Sequence, residues 1–222
     1  MKRYVSASIA LAALGLAAAP SEAALFDRGG GLIYDNDLNI TWLQDANYAT
    51  TSGYDADGLM TWAEAMTWAD NLVYGGYSDW RLPSIEPANL KFGYDGTDGW
   101  GFNITVGSEM GHLYYTELGN LGEYDTGGNV QPGWGLANTS PFNSLQAYNY
   151  WTGYEYGLYG SSFSFNFANG SQDAPYNGDP SFYAIAVRNG DVTASSVPEP
   201  GTLMLLVSGL AGLALIRRKL RK

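Results

Sequence analysis

The sequence predicts an α+β fold: a single compact domain with short helices in its first half and β-hairpins in its second. Three observations lead there. Residues 61–73 carry a capped stretch with helical period. Residues 162–167 and 182–188 alternate with strand period, and each run meets an Asn-Gly turn. Residues 24–197 also hold all seven Trp and sixteen of the seventeen Tyr, enough apolar mass to offset the entropy of ordering the chain.

In order, residues 31–35 and 38–42 are short strand-like runs joined by Asn36-Asp37, a dipeptide that tolerates left-handed geometry and predicts a hairpin. Thr61 can cap the helix of residues 61–73, and Glu64 completes a capping box. Ala65, Met66, Ala69, Leu72 and Val73 line its apolar face, and Gly75-Gly76 ends it. A second short helix is expected over residues 84–90, capped by Ser84, and a third over 109–118 behind Ser108. The glycine-rich segments 93–107 and 119–135 read as loops with irregular strands. In residues 162–167, Phe163, Phe165 and Phe167 share one face before the Asn169-Gly170 turn, and residues 182–188 form the last strand, stopped by Asn189-Gly190. No internal repeat divides the body.

Composition removes several function classes. The 222 residues include 11 basic and 22 acidic side chains, a charge of −11, and the pI is near 4.3, so nucleic-acid binding through a basic face is not expected. Zero cysteine excludes thiol nucleophiles, disulfides, thiolate zinc sites and cysteine-ligated clusters. The single histidine, His112, excludes multi-histidine metal sites within one chain. No cofactor or metal is expected.

Both ends read as targeting rather than fold. In residues 1–23, Lys2 and Arg3 precede a short apolar run, and Ser21-Glu22-Ala23 supplies small residues at a cleavage site, the pattern of a signal peptide. In residues 195–222, Pro198-Glu199-Pro200 precedes an uncharged run of 15 residues at 202–216, closed by Arg217, Arg218, Lys219, Arg221 and Lys222. A 15-residue helix rises about 22 Å against a hydrocarbon core of roughly 30 Å, a marginal anchor. The basic cluster acts as a membrane stop that stays cytoplasmic, with the body outside. Without its ends the body, residues 24–197, has 4 basic and 20 acidic residues, a charge of −16.

The tail's three-part order resembles the PEP-CTERM sorting signal of Gram-negative bacteria, which an exosortase reads. That resemblance implies an inner-membrane intermediate, processing near Pro198, Glu199 and Pro200, and delivery to the cell surface or matrix of exopolysaccharide-producing, biofilm-forming hosts. A second resemblance spans the body. Residues 38–47, Met60 to Ala65, Asp79-Trp80-Arg81-Leu82-Pro83, Tyr150-Trp151-Thr152 and residues 184–192 look like the DUF1566, or Lcl C-terminal-like, domain over residues 24–194. The order of these pieces is also similar to C-type-lectin-like and formylglycine-generating-enzyme-like folds. The copper–thiolate chemistry of the latter is impossible without cysteine. One family member, a bacterial collagen-like adhesin, uses the domain for sulfated polysaccharides, but a body charge of −16 argues against polyanionic glycans here.

Candidate chemistry is sparse. Arg81 in the Asp79–Pro83 motif reads as a structural ion-pair partner, to Glu64, Glu86 or Asp45, with an anion anchor as its functional alternative. Asp55, Asp57 and Gly58, and Asp95, Asp98 and Gly99, cluster carboxylates in glycine loops but miss the EF-hand register, so ordinary turns are the reading. His112 has no Gly-x-Ser-x-Gly elbow to serve, and no catalytic residue is assigned. Trp100 and Trp134 lie in loops outside the family-like segments and are the candidates for stacking on sugar rings. The expectation is an exported, non-enzymatic surface or matrix protein that binds neutral exopolysaccharide. The alternatives are a secreted carbohydrate hydrolase using an acid pair, or a purely structural surface protein.

Overall fold

The computed structural model describes residues 24–87, 89–156, 162–174 and 181–192. Nine strands appear among these residues. They are β1 (Leu25–Gly29), β2 (Leu32–Asp35), β3 (Ile40–Leu43), β4 (Phe92–Gly93), β5 (Trp100–Gly101), β6 (Asn149–Glu155), β7 (Ser162–Asn166), β8 (Gln172–Asp173) and β9 (Val187–Asn189). One sheet runs β1-β2-β3-β9, antiparallel throughout. The other runs β4-β5-β8-β7-β6, antiparallel except for the β4–β5 pair. The helices are few and short: α1 (Tyr48–Thr51), α2 (Trp62–Asp70) and α3 (Glu109–His112), the last running into a π-helical turn at Leu113–Glu117.

The β2–β3 hairpin forms where the sequence expects it, with Ile33 opposite Trp42 and Asp35 opposite Ile40. Its turn is held by buried Asp35, whose Oδ1 accepts the backbone N–H groups of Asp37 and Leu38. Both faces of this hairpin are covered. Ile33, Ile40 and Trp42 enter one core with Tyr114, Tyr150, Phe165 and Phe167. Leu32 and Leu43 enter the other with Trp68, Trp80 and Trp151. A two-residue side-chain period with two apolar partners produces that split. Phe163, Phe165 and Phe167 are all fully buried, as their alternation predicts, and β7 turns into β8 at Gly170, φ +81°.

Helix α2 carries the expected capping box. Thr61 Oγ1 accepts the Glu64 N–H, and the Glu64 carboxylate accepts the Thr61 N–H. It ends earlier than the apolar pattern suggests, at Asp70. Val73 therefore stands 71% exposed, and Trp68 fills the core instead.

Among the described residues of 84–90 no helix forms. Ser84 to Glu86 runs extended against residues 107–109, with the Ser84 carbonyl accepting from Glu109 N and Glu86 N donating to Gly107 O. Pro87 disfavours helical geometry at Glu86, and neighbouring backbone offers the pairing instead. The helix expected at 109–118 exists in altered form. Ser108 Oγ caps it by accepting the Gly111 N–H at 3.0 Å, but after one turn it widens to i→i+5 bonding, with Leu118 N donating to Leu113 O at 2.9 Å. The last strand is also shorter than residues 182–188. Phe182 and Tyr183 make isolated bridges, and regular pairing begins at Val187.

Candidate functional site

In the Asp79–Pro83 segment Trp80, Leu82 and Pro83 are buried, while Asp79 and Arg81 turn outward to charged partners. Backbone bonds between Arg81 and Val187 in both directions tie the segment to the start of β9. The Arg81 guanidinium grips Glu109 with two parallel bonds of 2.8 Å. It also donates to Asn189 Oδ1 and the Leu82 carbonyl. The partner is therefore Glu109, at the start of α3, and not Glu64, Glu86 or Asp45. Glu64 is committed to its own helix cap and Asp45 accepts from Asn47 N and Thr51 Oγ1. Two further arginines are bidentate as well: Arg188 to Asp79, stacked 4.0 Å above the Tyr77 ring, and Arg28 to Asp191. The Arg188 pair holds the Asp79 carboxyl below its ordinary value.

The acidic glycine loops turn on themselves. Asp55 Oδ1 accepts the N–H groups of Asp57 and Gly58, and Asp95 Oδ1 accepts the Thr97 N–H and the Thr97 Oγ1 hydroxyl. Desolvation opposes ionisation of Asp55, yet the backbone donors win and lower its pKa. At Asp95 the Thr97 donors act in the same direction.

The two tryptophans singled out in loops differ. Trp134 is 44% exposed. Trp100 sits in β5, half-buried, with its ring edge-on to Tyr156 and to fully buried Phe163. The following Gly101, at φ +113°, lies so close to Gly93 that a side chain there would collide with the Gly93 carbonyl. Of the other aromatic rings in these segments, Tyr114 is fully buried, and Tyr115 is spent on bonds from Asn103 N and to Gly170 O. Tyr148 is exposed and lines a recess of about 340 Å³ with Leu59, Gln146, Ala147 and Tyr183.

One cluster was not anticipated. Ligand atoms of Asp35, His112 and Glu117 all lie within 4.8 Å of one another. His112 Nε2 and Glu117 Oε1 are 3.3 Å apart, and the Glu117 side chain is 1% exposed. The Asp35 side chain reaches the cluster from the end of β2, and the indole N–H of Trp42 donates to its Oδ2 at 3.4 Å. Burial pushes the Asp35 carboxyl up, against the pull of its hydrogen bonds and His112. Burial, with the Asp35 charge added, pushes Glu117 up too. His112 also lines an open recess of about 320 Å³ with Leu38, Ser108 and Glu109. The only distinctive local mark is the five-residue spacing of His112 and Glu117. On an ordinary α-helix that spacing separates side chains by about 140°, so it signals no shared site.

Family comparison settles where the chain belongs. The model of the Lcl C-terminal domain matches residues 31–188. The chain belongs to the Lcl C-terminal domain family. The PEP-CTERM protein-sorting motif matches residues 196–219. No curated protein and no solved structure matches the chain.

The Lcl C-terminal domain match takes in the Asp79–Pro83 segment, Trp100, Trp134 and the Asp35–His112–Glu117 cluster. The sorting motif takes in Pro198, Glu199, Pro200, Arg217, Arg218 and Lys219. It makes this an exported surface protein, sorted by an exosortase through a membrane-anchored intermediate. Those residues, Arg221, Lys222 and residues 1–23, where the sequence leads one to expect a signal peptide, lie outside the described residues, and no described helix is long and apolar enough to cross a membrane.

Proposed function

We propose that the exported Lcl C-terminal domain is a non-enzymatic module that holds neutral exopolysaccharide at the cell surface. One observation carries this reading. The exposed rings of Trp134 and Tyr148 stand on an acidic surface where Arg28, Arg81 and Arg188 are each tied to a carboxylate. Ring faces can stack on the C–H faces of sugars, and Asn and Gln amides can pair with hydroxyls. Arginines already forked to Asp or Glu offer little to a sulfate or carboxylate. Trp100 is more buried than Trp134 or Tyr148 and offers less ring area to a ligand.

The test is a glycan array with the full-length chain, followed by binding of the best neutral polysaccharide at low and moderate salt. Stacking is short-ranged and barely screened, so affinity should change little with salt. Trp134→Ala and Tyr148→Ala should each weaken binding by about 1–3 kcal/mol, by analogy with ring stacking on nucleobases, while leaving the fold intact. Wild-type binding by both variants would overturn the reading. Preferential binding of a polyanion that salt displaces would do so as well.

A further inference from the structure

We propose that Asp35, His112 and Glu117 form a binding site for one first-row divalent cation of the zinc type. The three side chains offer one imidazole nitrogen and two carboxylates, with ligand atoms inside 4.8 Å of one another. Metal–ligand bonds of about 2.0–2.2 Å place neighbouring ligands roughly 3–4 Å apart, so closing this cluster on an ion takes only a small contraction.

Two features beside the distances themselves point to a ligand. The first is Glu117. Its side chain is 1% exposed, and among the described residues no donor outside the cluster reaches its carboxylate. A buried carboxylate with one 3.3 Å neighbour is costly, and a cation is the group that would satisfy it. The second is the backbone. The π-helical turn Leu113–Glu117 brings residues five apart into line, which puts Glu117 beside His112. Such turns are rare and concentrate at functional sites.

The supporting shell fits. The backbone N–H groups of Asp37 and Leu38 fix Asp35 through Oδ1, and among the described residues Oδ2 has only the long bond from Trp42. His112 would donate through Nε2, with its proton on Nδ1. The His112 side chain is 13% exposed and opens onto the recess beside Leu38 and Ser108, so an ion has a route in, and water can fill the remaining coordination position. An imidazole with two carboxylates favours zinc-like ions over calcium, which takes six or more oxygens. This site goes beyond glycan binding and stands or falls separately from it.

The experiment uses the full-length chain, made without a histidine tag and stripped with a chelator. Zn²⁺ is titrated by calorimetry, with Ca²⁺ as the contrast. Zn²⁺ should bind at one site, and an excess near a hundredfold over Kd should raise the melting temperature by roughly 5–10 °C. His112→Gln and Glu117→Gln should each weaken binding at least about tenfold. The chain has a single histidine, so its ring ¹H–¹⁵N resonances report on His112 alone and should move with one equivalent of Zn²⁺ in the unmutated protein. That readout stands even if a variant fails to fold. Absence of saturable Zn²⁺ binding, zinc binding that leaves the histidine resonances in place, or Ca²⁺ binding equally well at this site would each overturn the proposal.

Discussion

Arg81→Ala is the most informative single perturbation of the fold. Its guanidinium makes two 2.8 Å bonds to Glu109, whose Oε2 also accepts the Ser84 N–H at 2.7 Å. The pair joins the Asp79–Pro83 segment to the start of α3. Removing one partner of a fully buried pair costs about 3–5 kcal/mol, whereas an exposed pair contributes about 0.2–1. The side chains here are 32% exposed for Arg81 and 13% for Glu109, so the cost falls between these limits, at about 2–3 kcal/mol. For a domain of this size that is a drop of roughly 4–12 °C in melting temperature. Urea and thermal unfolding of Arg81→Ala, Glu109→Gln and the double variant make the assay. Glu109→Gln keeps an acceptor for Ser84 N, so the cycle isolates the ionic part, expected at about 1–2 kcal/mol of coupling. A single-variant cost below about 0.5 kcal/mol, or strictly additive effects, would refute the reasoning.

Two further outcomes are expected. Because residues 196–219 match the sorting motif, mass spectrometry of the surface form from its host should find a chain ending near Pro200, and an intact Lys222 terminus would contradict this. Tyr115 gives an alkaline signature, since burial pushes its hydroxyl from 10.0 up to about 12. Its contribution is then complete below pH 10 and is lost as pH rises towards 12, a change of about 2–3 kcal/mol for two units. Tyr115→Phe should be less stable at neutral pH, having lost the bonds to Asn103 N and Gly170 O, and its stability should fall less steeply between pH 10 and 12. An unchanged slope would show that Tyr115 ionises as it does in the unfolded chain.

Much of the scaffold could be read locally. The β2–β3 hairpin, the Thr61–Glu64 capping box and the buried Phe163, Phe165 and Phe167 all rest on patterns within a few residues, set by the strand and helix periods. The misreadings come where local preference met a competitor. Ser84 looked like a cap, but its backbone pairs with Glu109 and Pro87 blocks a helix. Val73 extended an apolar pattern past a helix that stops at Asp70. Trp100 looked like loop surface, yet β5 lays its ring against Phe163.

The sequence by itself determined the C-terminal sorting motif, the acidic composition without cysteine, and the supply of aromatic side chains for the core. These follow from composition and short-range order, which no tertiary contact alters. Only the tertiary structure decided that Arg81 meets Glu109, and that Asp35 meets His112 and Glu117. A charged side chain among 20 acidic residues in the body has many potential partners, and spacing along the chain does not rank them. The choice is made by how β2, β9 and α3 pack, and by one turn of helix that bonds i→i+5 where the ordinary α-helix bonds i→i+4.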